Sequence, residues 1–129
     1  MHQPFLRIAA FLGALSVILG AFGAHSLKQI LFPENLQIFE TGVRYQFYHV
    51  FALIVVAVLF KEYGGTKLKW AGYCFITGII LFSGSLYALC FIKQNNLTMQ
   101  WVGAITPAGG IAFISGWILT GMAIIKKIY

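Results

Sequence analysis

Two histidines stand beside long apolar runs in this chain. His25 closes the first run, followed by Ser26, and His49 lies one helical turn after Tyr45 and Gln46 at the start of the second. A third run carries Ser83, Ser85 and Tyr87, and a fourth opens with Thr106-Pro107 and Gly109-Gly110. An imidazole in such a setting has three uses. It can hydrogen-bond to hydroxyls or carbonyls and fasten helix ends, it can titrate near neutrality and relay protons, or it can ligate haem or a metal. Two histidines without a neighbouring thiolate or carboxylate make a thin metal site, and the chain has no CxxCH haem-attachment motif. The carboxylates are Glu34, Glu40 and Glu62, all outside the apolar runs, so no nucleophile, base and acid can be assembled. Cys74 and Cys90 lie on one helix about 24 Å of rise apart, too far for a mutual disulfide. No catalytic residue, metal or cofactor is therefore assigned. The candidate polar pocket is His25, Ser26, Tyr45, Gln46, His49, Ser83, Ser85, Tyr87 and Thr106.

These residues need elements to position them, and composition says which. Of 129 residues, 60% are hydrophobic and only 9% charged, with a formal net charge of +6. A soluble domain carries roughly 25% charged residues. The basic residues are scattered singly between apolar blocks, which argues against a nucleic-acid-binding surface, and the hydrophobic content excludes disorder. The chain reads as an integral membrane protein whose partner is the lipid bilayer. A hydrocarbon core of ~30 Å needs about 20 apolar helical residues, and the charges divide the chain into four such blocks. The expected spans are about 5–25, 43–61, 69–92 and 101–125. The predicted architecture is all-α: a polytopic, antiparallel bundle of four transmembrane helices forming one domain over residues 1–129. Between the first two spans, Pro33-Glu34 followed by Leu36, Phe39, Val43 and Phe47 predicts an interfacial amphipathic helix.

Loop charge predicts orientation. Arg7, Lys61, Lys67, Lys69, Lys126 and Lys127 fall on one side; Lys28, Arg44 and Lys93 fall on the other. The richer side should be cytoplasmic, with both termini there. Tyr45, Tyr48, Trp70, Trp101 and Tyr129, near span edges, read as interfacial aromatic belts. His2, at the terminus, carries little information. With this topology every candidate pocket residue falls in the outward half of the bundle, and Tyr45 with His49, like Ser83 with Tyr87, shares a helix face.

Helices in lipid associate where small residues let backbones approach. Ser16, Gly20 and Ala24 repeat every four residues in the first span; Ala104, Ala108, Ala112, Gly116 and Thr120 do so in the fourth. The stripes predict tight packing inside the bundle, and the fourth-span stripe is also a candidate face for a larger membrane complex or a homo-oligomer.

Four ordered motifs carry a family resemblance: Gly20-Ala21-Phe22-Gly23-Ala24-His25, Tyr45-Gln46 with His49, Leu81-Phe82-Ser83-Gly84-Ser85-Leu86-Tyr87, and Thr106-Pro107-Ala108-Gly109-Gly110 with Gly116-Trp117. Over essentially its whole length the chain resembles the transmembrane protein 256-like family, whose bacterial members form an uncharacterised inner-membrane family. The resemblance implies a small four-span protein of the bacterial inner (plasma) membrane, with mitochondrial relatives in eukaryotes, and brings no catalytic role. The functional expectation is a non-catalytic accessory or scaffold protein. The alternatives are a small-molecule or proton pathway, or haem or quinone binding, through the polar layer.

Overall fold

The computed structural model describes residues 1–128, with side chains through Ile125; the Lys126 and Lys127 side chains counted above, and Tyr129, lie outside the described residues. Four helices follow one another: α1 (Gln3–Ile30), α2 (Pro33–Leu59), α3 (Gly65–Gln94) and α4 (Gln100–Ile128). All four are long and apolar enough to cross a membrane. The protein is an all-helical, four-span membrane bundle.

Local sequence sets the helix ends. His2 caps α1: its Nδ1 accepts from Phe5 N–H at 3.3 Å, while its own backbone N–H reaches Ala57 O at 3.0 Å. This residue, uninformative in the sequence, ties the start of α1 to the end of α2. Pro33 opens α2, where its fixed φ suits the first turn and its missing N–H costs nothing. The turn into α3 is made by Gly64 and Gly65 with φ of +51° and +86°, a region costly for side-chain-bearing residues. At the opposite end Gln94 staples the α1–α2 turn. Its Oε1 accepts from Phe32 N–H (2.9 Å) and Asn35 Nδ2 (2.8 Å), and its Nε2 donates to Ile30 O at 3.1 Å.

The segment predicted as an interfacial helix forms the opening turns of α2, continuous with the span. Asn35, Phe39, Gly42 and Val43 are buried against the bundle. This continuity shifts the polar residues in depth. His49, expected one turn into a span beginning near residue 43, lies about 24 Å along a helix that begins at Pro33. The polar residues of α2 and α3 consequently sit between two apolar clusters. One cluster contains Phe5, Leu53, Leu68, Phe75 and Phe113; the other contains Leu27, Phe39, Val43 and Cys90.

Helices α1 and α3 each contain a π turn, at Gly23–Leu27 and Ile79–Ser83. Against the second, α4 comes close enough that a Cβ on Gly109 would collide with the backbone of Phe82. Further along the same interface Gly116 lies under the Phe75 ring. The small-residue stripe of α4 only partly joins this contact. Residues four apart drift by about 40° per step around an α-helix. Ala104 and Ala108 are therefore exposed, Ala112 is half-buried, and Gly116 and Thr120 are buried. On α1, Ser16 is buried and Gly20 packs on Val43, whereas Ala24 is exposed. Helix α4 continues without interruption through Pro107.

Candidate functional site

The nine candidate pocket residues separate into four groups. Gln46, Ser83 and Tyr87 build a closed network joining three helices. Gln46 Nε2 donates to Leu12 O of α1 at 3.2 Å, and its Oε1 accepts from the Tyr87 hydroxyl of α3 at 2.6 Å. Ser83 Oγ donates to Gly42 O of α2 at 2.6 Å. Ser85 and Thr106 form the second group, their hydroxyls bonded to each other across α3 and α4, with Ser85 Oγ also bonded to Phe82 O at 2.9 Å. His25 and Ser26 are exposed on the π turn of α1. Gly23 in that turn packs on Phe39, which precedes His49 by about 15 Å along α2, so the two histidines stand at different depths. The fourth group, Tyr45 and His49, lies on the side of α2 that faces α4.

That side is a recess of about 510 Å³ between α2, α3 and α4, lined by Tyr45, Tyr48, His49, Phe82, Gly110, Phe113, Ile114 and Trp117. Helical spacing explains the set. Positions 45, 48 and 49 share one face of α2, and positions 110, 113, 114 and 117 share one face of α4. Phe82 enters from the π turn of α3, a feature often found at functional positions. Gly110 leaves its side open: a Cβ there would come no closer than 4.0 Å to the Phe82 ring.

His49 forms the floor and is only 4% exposed. Trp117 Nε1–H, which can only donate, points at His49 Nε2 from 3.1 Å. The opposite nitrogen, Nδ1, lies 2.7 Å from Tyr45 O, which can only accept. These partners fix a neutral ring with its proton on Nδ1. The imidazole also stacks on Phe113, with centroids 3.5 Å apart and 8° between planes. Both ring nitrogens being engaged, His49 offers no lone pair to an iron or other metal. Among the described residues no group of three His, Cys, Asp or Glu side chains gathers to hold one. No buried side-chain nitrogen or oxygen among them lacks a hydrogen-bond partner. The recess is thus a neutral, mostly aromatic concavity within the volume range of small-molecule sites, roughly 300–1,000 Å³. The residues unforeseen from sequence are Tyr48, which read as part of an interfacial belt, and Phe82, Gly110, Phe113, Ile114 and Trp117. The four on α4 follow a three- and four-residue rhythm that was available but hidden in a helix apolar on every side.

A family model described as "Protein of unknown function (DUF423)" matches residues 19–110. The chain is similar to a UPF0382 membrane protein of Bacillus subtilis, at 43% identity over 125 residues, covering 96% of this chain and 98% of the relative. It is similar to a UPF0382 membrane protein of Haemophilus influenzae, at 40% identity with 92% and 90% covered. A UPF0382 membrane protein of Schizosaccharomyces pombe shares 39% identity, with 86% and 92% covered. No solved structure matches the chain.

Proposed function

Since the chain belongs to the DUF423 family of membrane proteins, we propose that it is a non-catalytic binding protein that takes a lipophilic small molecule from the bilayer into the α2–α3–α4 recess. The observation that carries this reading is the recess itself: five aromatic rings and His49 surround about 510 Å³ at mid-bundle, with Ile114 and Trp117 exposed at its edge. The lining holds no charged side chain, no thiol and no aliphatic hydroxyl, and both nitrogens of its histidine are engaged, which favours binding over turnover. Localisation in a bacterial plasma (inner) membrane, with both termini cytoplasmic, belongs to the same reading and is supported by the distribution of loop cations.

The test is a filled recess. Gly110→Leu adds a side chain into open space, so the bundle should fold as before. Organic extraction of the purified wild type should release a lipophilic compound at near one per chain, and Gly110→Leu should release little. Equal recovery from both proteins, at equal thermal stability, would sink the proposal.

A second reading has its own observation. Ala104 and Ala108 leave a narrow small-residue strip on the outer face of α4, suited to close approach by another membrane helix. On this reading the protein is an accessory subunit or scaffold. Purification in mild detergent should then retain a stoichiometric partner that Ala104→Leu with Ala108→Leu releases; a chain that runs alone counts against it.

A further inference from the structure

We infer that the recess takes the head of an isoprenoid-quinone-type lipid: a flat, uncharged, oxygen-bearing ring on an apolar tail. This rests on the ligand-binding reading above and narrows it to one chemical class.

Ring geometry points to a flat ligand. The planes of His49 and Phe113 lie 8° apart, those of Tyr45 and His49 14°, and those of Tyr45 and Phe113 21°. Three rings from two helices thus share nearly one orientation. The flanking rings are turned away from it, Phe82 by 40° to Tyr45 and Trp117 by 64° to His49. His49 and Phe113 stack on each other, so the aligned face open to a guest is that of the half-exposed Tyr45, and it favours a planar unsaturated guest because stacking depends on orientation. A saturated acyl chain gains area burial from such walls but nothing from their alignment.

Polar chemistry narrows the class. The lining contains no charged residue. His49 and Trp117 are consumed by each other, and the Gln46 and Tyr87 side chains are bonded to one another. The Tyr45 and Tyr48 hydroxyls remain, on side chains 37% and 53% exposed, with no hydrogen bond to other described residues. A phenol presented to a low-dielectric medium is a good donor, and it calls for an acceptor oxygen such as a ring carbonyl or ether. A carboxylate or phosphate would be left without a counter-charge, at high cost in such surroundings. The edge of the recess is Ile114 and Trp117, both more than half exposed at mid-bundle, so a tail leaving there enters lipid. Together these features select a neutral ring, acceptor oxygens and a hydrocarbon tail.

The experiment uses the full chain in lipid nanodiscs and a photoreactive azido-quinone carrying one isoprene unit. Illumination should label the segments 45–49 and 110–117. Excess unmodified quinone should abolish labelling, and oleate at the same concentration should not. Gly110→Leu should reduce labelling at least tenfold at unchanged thermal stability. Tyr45→Phe with Tyr48→Phe should weaken quinone competition by about three- to tenfold for each hydroxyl that bonds the ligand. If oleate competes as well as quinone and Gly110→Leu still blocks it, the quinone inference falls while the binding reading stands. If no probe labels these segments and extraction yields no compound, both fall.

Discussion

The indole N–H of Trp117 on α4 is directed at Nε2 of His49 on α2 from 3.1 Å, and this bond determines which imidazole nitrogen carries the proton. The same histidine returns that proton toward Tyr45 O at 2.7 Å. One side chain thereby fixes helix–helix spacing, ring orientation and the electrostatic neutrality of the recess floor.

Trp117→Phe should keep the ring packing but leave Nε2 of a nearly buried imidazole without its donor. A loss of about 1–3 kcal/mol is expected. His49→Phe with Trp117→Phe, which removes donor and acceptor together, should cost less than the sum of the two single changes. Reversible unfolding in mixed micelles provides the double-mutant cycle; additive losses would contradict the coupling.

Two adjacent glycines should behave in opposite ways. Gly109→Ala pushes a methyl into the Phe82 backbone, and overpacking against main chain should cost about 1–3 kcal/mol. Gly110→Ala meets open space and removes flexibility from a helix, so a neutral effect or a gain of up to ~1 kcal/mol is expected. Thermal melts of the two variants side by side decide the matter. Equal behaviour would mean that α4 does not approach the π turn as described.

Tyr87→Phe deletes the donor to Gln46 Oε1, in a side chain only 1% exposed. The orphaned amide oxygen should cost about 1–3 kcal/mol. Gln46→Leu combined with Tyr87→Phe should recover part of that loss, since an all-apolar replacement leaves nothing unpaired. Ser85→Ala should cost less, ~0.6 kcal/mol being typical of interhelical hydrogen bonds in membranes. His25→Ala, at an exposed position, should stay within about 0.5 kcal/mol of wild type.

Orientation is tested with single thiols in a chain lacking Cys74 and Cys90. In intact cells an impermeant maleimide should label Asn96→Cys in the α3–α4 turn and spare Thr66→Cys near the α2–α3 turn. The reverse pattern would invert the proposed topology.

The span count was legible because charges cannot be left in hydrocarbon, so their positions punctuate the chain directly. The start of α2 was not. The stretch from Pro33 to Phe47 read as a separate interfacial helix, yet it is continuous with the span, and Glu40 and Arg44 lie on its exposed side, where long side chains can reach toward the interface. The polar residues were recognisable as unusual, but their partners were not. That Gln46 turns toward Tyr87 while His49 turns toward Trp117 depends on which neighbours flank α2, and no local pattern encodes that. The recess escaped notice for the related reason that α4 is apolar all round, so its pocket face and its lipid face look alike in one dimension. His2 acts through a tertiary contact with Ala57, beyond the reach of periodicity.

The π turn at Ile79–Ser83 divides α3 into a segment in register with Phe5 and Phe113 and another in register with Gln46 and Thr106. Were this turn to close to α-helix with its residue count unchanged, everything after it would rotate by about 100°. Ser85 would leave Thr106, and Tyr87 would leave Gln46, in one step. The wider turn, with its one residue more than an α turn, is consequently what keeps both contacts in place: substitutions at the exposed Ile80 can be absorbed, whereas closing the turn without losing a residue cannot.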